Sequence, residues 1–379
     1  MKTRVSRKQN HKSYSNSLYW GIGICFLLLI GCELAKHYPS WIEKYYSQGF
    51  YSYFSYVPKV LFGWLPFSFG DLFYVAVVVF IVLLCLQLLR EVWRRHFKAA
   101  WHYLLKLTLT VLSLYLFFYF SWGLNYYRIP MVHHLDLQVD ALKKSDYLFV
   151  LDKYIDRCNS LRNDIVPEQL DKDKAKMELQ ALMQQDTDLS PILSHTQVQA
   201  KSPLSSTLVS YFTVTGYFNP FTHEVQVNEK MPIVSYPFTV VHELGHQMGI
   251  GFEDECNFAA FLKLVDHPEP WYRYAAAYET VQYLLRNLRA EDEALFKIYY
   301  KKLSPLVLAD IATERAFWKK YSGWVEGLTS YLYSGYLQHN NQPEGIERYS
   351  MMSRMVVAWE VQQKAKKTLN IHLWTNDLD

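Results

Sequence analysis

Three long apolar segments mark the first third of the chain. A helix needs about 20 apolar residues to cross the hydrocarbon core of a bilayer, and about 17 can suffice. The second and third segments reach this length, whereas the first is shorter and would need Tyr19 and Trp20 at the membrane interface. The segments run from about Leu18 to Cys32, from Leu72 to Leu89 and from Tyr103 to Trp122. We therefore predict that residues 1–122 form a membrane anchor with three transmembrane helices.

The first apolar segment also has features of a cleavable signal peptide. Basic residues precede it, as in the n-region of such peptides: Lys2, Arg4, Arg7, Lys8 and Lys12. A signal peptide would end in a small-x-small cleavage site, but Gly31, Cys32 and Glu33 lead straight into Leu34. An uncleaved anchor is therefore the favoured interpretation.

The distribution of Lys and Arg predicts the orientation of the anchor. Cytoplasmic segments of membrane proteins carry an excess of these residues. Here they are concentrated in the N-terminal tail and in the link between the second and third segments, which contains Arg90, Arg94, Arg95 and Lys98. Both regions would be cytoplasmic, so residues 123–379 would lie outside. We expect a multi-pass protein of the cell (inner) membrane whose second domain faces the periplasm.

The remaining two-thirds of the chain lacks an apolar run of membrane-spanning length and has a mainly helical pattern. Residues 207–215 and 223–227 differ, because they are β-branched and aromatic, and Asn219–Pro220 between them is typical of a turn. We predict a β-hairpin there. A long helical region follows, with breaks at His267–Pro270 and around Asn340–Gly345. The predicted fold class is mainly α (α+β), with transmembrane helices and a helical domain that contains a small hairpin or sheet.

Composition excludes some classes of protein. The formal net charge of +3 is close to neutral for 379 residues, and no block of like charge indicates a nucleic-acid partner. Five cysteines are too few for a disulfide framework. Cys158 and Cys256 are the two in the polar part, and they could pair if that part is extracytoplasmic. The apolar segments instead indicate the lipid bilayer as a partner, and nothing in the sequence indicates the oligomeric state.

Candidate chemistry lies at residues 242–246, which read His-Glu-Leu-Gly-His. On a helix, His242 and His246 lie on one face, one turn apart, and can bind a single Zn²⁺. Glu243 is rotated by about 100° from His242, so it can flank the metal as a general base without binding it. Thr239 could begin this helix. The hairpin before it fits the edge strand with which zincin folds hold an extended substrate.

A catalytic zinc site needs a third protein ligand. Gly249 should end the motif helix, and an acidic helix would then begin at Glu253. Helical phase favours Glu253 as the ligand, with Asn257 on the same face to orient Glu253 or a histidine. Glu255 is the alternative ligand, although acids in a first helical turn also favour the helix dipole. His267 is a further candidate, in a predicted loop.

These residues carry a resemblance to a known family. The chain resembles the DUF3810 family of bacterial membrane proteins in five segments: Leu65–Asp71, Trp122–Arg128, Gly216–Asn228, Pro237–Gln247 and Glu253–Phe258. The resemblance implies a membrane anchor and a zinc-peptidase-like domain of unknown substrate. Cys256 departs from it, because a small alanine is expected there. The spacing of Glu253 and Asn257 is similar to the Glu-x-x-Ala-Asp element of gluzincin-type peptidases, in which the Glu binds zinc.

The sequence therefore predicts that residues 123–379 form an extracytoplasmic zincin-like metallopeptidase domain with a zinc-dependent active site. Zn²⁺ would be bound by His242, His246 and Glu253, and Glu243 would be the catalytic base. The substrate would be a peptide or a protein. The alternative is a catalytically inactive, zinc-binding membrane scaffold that mediates protein–protein contacts. A purely structural zinc site has four protein ligands and needs no base, so Glu243 favours the enzyme.

Overall fold

The computed structural model describes residues 2–186, 188–189, 192–342 and 350–376. These residues form mainly α-helices and one three-stranded sheet, so the predicted fold class is confirmed. The chain divides into two compact units. Unit 1 comprises residues 1–128 and 219–224, and unit 2 comprises residues 129–218 and 225–379.

Unit 1 contains the apolar helices. Its α-helices are α1 (Lys2–Ala35), α2 (Pro39–Trp41), α3 (Tyr51–Phe54), α4 (Tyr56–Phe62), α5 (Phe69–Trp93) and α6 (Phe97–Ser121), with π-helical Ile42–Phe50 and 3₁₀-helical Gly123–Tyr127. Among the described residues, three helical stretches are long and apolar enough to cross a membrane: Asn16–Ala35 of α1, all of α5 and all of α6. They contain the three predicted apolar segments except for Trp122, and each helical stretch is longer than the predicted segment within it.

Residues 219–224 complete unit 1 by capping α5. The Ser68 hydroxyl accepts a hydrogen bond from Asp71 N at 3.1 Å, while the Glu224 carboxylate accepts from Phe69 N at 3.2 Å and Gly70 N at 2.6 Å. A carboxylate is favoured there because a helix N-terminus carries unpaired N–H groups and partial positive charge. A Cβ atom on Gly70 would lie 2.4 Å from Asn219 Nδ2, so glycine permits this close approach.

Besides 3₁₀-helical Pro167–Gln169 and Ile233–Ser235, unit 2 contains the remaining α-helices. They are α7 (Met131–His134), α8 (Lys144–Arg162), α9 (Lys172–Gln184), α10 (Ser206–Tyr211), α11 (Tyr236–Gln247), α12 (Glu253–Leu264), α13 (Pro270–Glu291), α14 (Glu293–Tyr300), α15 (Pro305–Tyr321), α16 (Trp324–His339) and α17 (Ser350–Asn376). The core lies where α11 packs against α9 and α12, and α13 packs against α8. The predicted break at His267–Pro270 separates α12 from α13. α16 ends at His339, and the second predicted break lies partly outside the described residues.

The small sheet corrects part of the hairpin prediction. Its strands are β1 (Ala200–Lys201), β2 (Gly216–Asn219) and β3 (Glu224–Val227), in the order β1-β3-β2. The predicted turn at Asn219–Pro220 and the second strand are present, but residues 206–211 form a helix instead of the first strand. The Ser205 hydroxyl caps this helix by accepting from Leu208 N at 3.2 Å. Local capping thus outweighs the β-propensity of the β-branched residues.

Candidate metal centre and catalytic residues

The motif His242–His246 lies in the second half of α11, a helix that is almost entirely buried. Pro237 in its first turn is compatible with helix initiation, and the helix begins at Tyr236 rather than at the predicted Thr239. α11 ends at Gln247, and Gly249 just after it adopts φ 85°, a left-handed conformation that glycine accommodates without strain. The chain can therefore turn at once into α12, which packs against α11.

Each histidine of the motif has its Nδ1 atom held by a carbonyl group. His242 Nδ1 lies 2.8 Å from Asn257 Oδ1, and His246 Nδ1 lies 2.9 Å from the carbonyl oxygen of Ile250. A carbonyl oxygen accepts hydrogen bonds but cannot donate them, so Nδ1 of each ring carries the hydrogen. The Nε2 atom of each neutral ring then presents a lone pair. This arrangement of outer partners is typical of histidines that bind a metal.

The two Nε2 atoms face the carboxylate of Glu253 at the start of α12. His242 Nε2 lies 3.1 Å from Glu253 Oε2, and His246 Nε2 lies 3.3 Å from Glu253 Oε1. Ligand atoms at 2.0–2.1 Å from a tetrahedral zinc ion are about 3.3 Å apart. Each of the two separations is therefore close to the edge of a zinc coordination tetrahedron, and a nitrogen, nitrogen and oxygen donor set suits this metal.

The electrostatics of the cluster favour a positive charge. Burial opposes ionisation of Glu253, but His246 and His242 outweigh it and hold the pKa of this carboxyl well below its usual value. Burial likewise opposes protonation of His246, but Cys256 and Glu253 raise the pKa of this imidazole well above its usual value. A positive charge between these groups, either a proton or a metal ion, therefore stabilises the arrangement.

Glu243 lies beside strand β2. A Cβ atom on Gly216 would lie 2.7 Å from Glu243 Cγ and 2.8 Å from Glu243 Oε1, so only a glycine leaves room for this side chain. Burial raises the pKa of Glu243 to about 7, although His242 and His246 partly oppose the shift. A carboxyl with a pKa near neutrality can both accept and donate a proton, as a general base requires.

Cys256 lies on the other side of His246. The side chains of His242, His246 and Cys256 form a group that could hold a metal ion, with candidate ligand atoms within 4.8 Å of one another. The Cys256 sulfur, however, is 3.3 Å from His246 Nδ1, the atom bound to the Ile250 carbonyl. Burial raises the pKa of the Cys256 thiol to about 12, although His246 opposes the shift. Glu253 is therefore better placed than Cys256 to share a metal with the two Nε2 atoms.

Comparison with known proteins identifies a family. A family model described as "Protein of unknown function (DUF3810)" matches residues 46–357, which is most of the chain. The chain belongs to the DUF3810 family. No curated protein and no solved structure matches it. The resemblance of the sequence to this family is thus confirmed.

In this DUF3810 protein, α11 and α12 bring most of the predicted site residues together. His242, His246 and Glu253 converge, and Asn257 holds His242. Glu255 instead directs Oε1 to the backbone N–H of Met131 at 2.7 Å, which positions the start of α7. Two other possibilities are not realised: His267 accepts a hydrogen bond from Glu269 N at 3.1 Å, and Cys158 and Cys256 do not form a disulfide.

The structure adds one residue that the sequence did not single out. The Tyr333 hydroxyl of α16 donates a hydrogen bond to Glu253 Oε1 at 2.5 Å. The sequence contains 30 tyrosines, and several lie near Tyr333 in a helical segment. Nothing in their spacing relates any one of them to a motif that lies some 80 residues earlier.

Proposed function

We propose that this chain is a membrane-anchored zinc-dependent peptidase. The observation that carries the proposal is the convergence of His242 Nε2, His246 Nε2 and the Glu253 carboxylate, in which the two nitrogens lie 3.1 Å and 3.3 Å from one carboxylate oxygen each, close to the edge of a zinc tetrahedron. Acceptors repel one another unless a cation or a proton lies among them. Three protein ligands leave a fourth position open, as catalytic zinc sites require.

The proposed roles follow from the side chains present. His242, His246 and Glu253 would hold the zinc ion, which when bound supplies Lewis-acid polarisation of a carbonyl and activation of water. Glu243 accepts a proton from the attacking water and then donates it to the amine that leaves the cleaved peptide bond. The raised pKa of Glu243 supports this role, because a base poised near neutrality serves both steps.

The substrate class is inferred from strand β2. β2 is at the edge of the three-stranded sheet, and its first residue, Gly216, lies against Glu243. An extended peptide can pair with the outer strand of a sheet as an added strand. Residues 216–218 would therefore hold an extended segment of a peptide or protein substrate beside the proposed base.

The proposed location rests on the charge distribution of the anchor. Arg90 lies in the last turn of the second apolar helix, Arg94 and Arg95 lie between the second and the third, and basic residues precede the first. We place unit 2 outside the cytoplasm, on the periplasmic face of the inner membrane. A reporter that is active only outside the cytoplasm, fused after Asp379, should be active. An inactive reporter would indicate that unit 2 faces the cytoplasm.

The peptidase proposal is tested with Glu243→Gln in the full-length chain. The purified variant should keep about one zinc per chain, because none of the three ligands has changed. Hydrolysis of a peptide library should fall about 10²–10⁴-fold, the usual contribution of a general base. Glu168→Gln, at an exposed glutamate of unit 2, is the matched control and should match the wild type.

Two results would count against the proposal. A wild-type chain that binds no zinc would remove the metal centre. A chain that binds zinc but hydrolyses no peptide, with or without the Glu243 carboxylate, would favour the inactive zinc-binding scaffold that mediates protein–protein contacts.

A further inference from the structure

Helix α16 is unusually exposed for so apolar a segment. Trp324, Tyr331 and Leu332 are 81%, 77% and 60% exposed, and Leu337 is the one residue of the described helix that is fully buried. Burial of apolar side chains therefore contributes little to holding α16 against the rest of unit 2. A polar contact, the hydrogen bond from Tyr333 to Glu253, joins this helix to the candidate metal centre.

The contact affects the two oxygens of Glu253 differently. Oε2 lies 3.1 Å from His242 Nε2, whereas Oε1 lies 3.3 Å from His246 Nε2 and also accepts the Tyr333 hydroxyl at 2.5 Å. A hydrogen bond to a charged acceptor is roughly twice as strong as one between neutral groups. Tyr333 therefore restrains rotation of the carboxylate and neutralises part of the charge on one oxygen only.

We propose that Tyr333 is a positioning residue, which holds Glu253 Oε1 so that Oε2 is presented to the metal, and which thereby couples the docking of α16 to metal binding. This inference rests on the metal centre of the proposed function. Outer partners of metal ligands restrict ligand orientation, and their loss typically weakens metal binding 10–100-fold. Because coupling is reciprocal, a metal that fixes Glu253 also strengthens the docking of α16.

The test compares Tyr333→Phe with Tyr331→Phe in the full-length chain in detergent. Tyr333→Phe removes a single oxygen atom, and its zinc affinity, measured by competition with a chelator, should fall about 10–100-fold. The absorption spectrum of the Co²⁺-loaded variant should change, because the carboxylate is no longer restrained. Tyr331→Phe alters an exposed neighbour on the same helix and should match the wild type in both measurements.

Hydrogen exchange of the amides of residues 324–339 supplies a second readout. Zinc should slow this exchange in the wild type and in Tyr331→Phe, but much less in Tyr333→Phe. Wild-type zinc affinity and an unchanged Co²⁺ spectrum in Tyr333→Phe would overturn the inference, even if hydrolysis fell. A wild-type chain that binds no zinc would instead overturn the proposed function, so the two failures are distinguishable.

Discussion

The two units both bury polar side chains, but they pair them in opposite ways. In unit 1 two buried carboxylates meet donors: Glu43 Oε2 accepts from Arg128 Nε at 2.8 Å, and Glu224 accepts from the backbone of α5. In unit 2 the Nε2 atoms of His242 and His246, whose Nδ1 atoms already face carbonyl groups, face a carboxylate that is itself an acceptor. Burial alone therefore does not indicate a functional site.

The direction of each hydrogen bond separates the two cases. The hydroxyl of Ser121 donates to the carbonyl of Pro220 at 2.5 Å, so the Ser121 oxygen accepts a hydrogen bond from Nε2 of His223 at 2.7 Å. Burial and the nearby Lys59 lower the pKa of His223 well below its usual value, so this ring stays neutral. His223 is thus a structural histidine of unit 1, whereas the two motif histidines direct Nδ1 to carbonyl groups and Nε2 to the carboxylate of Glu253.

The largest effect is expected from breaking a matched pair in unit 1. Glu43→Gln leaves the buried guanidinium of Arg128 without its counter-charge and should cost about 3–5 kcal/mol of stability. Thermal unfolding in detergent measures this loss, while the folded fraction should keep its zinc. Replacing both partners, Glu43→Leu with Arg128→Met, should recover most of the stability. If Glu43→Gln abolished zinc binding in folded protein, the proposed distinction between the units would fail.

A smaller but specific effect is expected at the unmatched acceptors of unit 2. Glu253→Gln replaces an anionic ligand by a neutral amide and should weaken zinc binding more than about 100-fold, beyond the usual effect of an outer partner. Glu255→Gln is the matched control, two residues away in the same helix, and should keep the zinc affinity of the wild type because its carboxylate contacts Met131 N. The opposite pair of results in chelator competition would make Glu255 the ligand.

The smallest effect is expected from displacing the base without touching the ligands. Gly216→Ala introduces a Cβ atom 2.8 Å from Glu243 Oε1, so the carboxylate must move. Peptide hydrolysis should fall about 10–100-fold, because small displacements of a catalytic group are costly, while zinc content should not change. Gly31→Ala, where nothing lies within 4 Å, is the control. Full activity of Gly216→Ala would show that Glu243 does not act from this position.

Much of the site could be predicted because its information is local. The i, i+4 spacing of His242 and His246, the glycine after them and the acidic start of the next helix lie within 12 residues, and helical phase relates them. The choice between Glu253 and Glu255 depends on that phase alone. The role of Tyr333 depends on how α16 docks, which no local pattern encodes.

The first strand of the predicted hairpin, in contrast, could not be placed correctly from local sequence. Residues 207–215 have the composition of a strand, but a serine cap, Ser205, and the positive φ of Thr213 make the segment a short helix and a turn. The assignment of residues 219–224 to unit 1 depends on Glu224 and Asn219 meeting the start of α5, a contact between positions more than 140 residues apart. Sequence periodicity carries no signal for such a contact.

The discontinuity of unit 1 has a consequence for biosynthesis. The last residues of this unit are translated about 90 residues after Arg128, which at ordinary elongation rates is a delay on the order of 5–20 s. During that interval α5 has been synthesised but its Glu224 cap has not, so the N–H groups of Phe69 and Gly70 lack the carboxylate that later pairs with them. The membrane unit of a nascent chain therefore remains unfinished on the ribosome until the first 90 residues of the other unit, residues 129–218, have been synthesised.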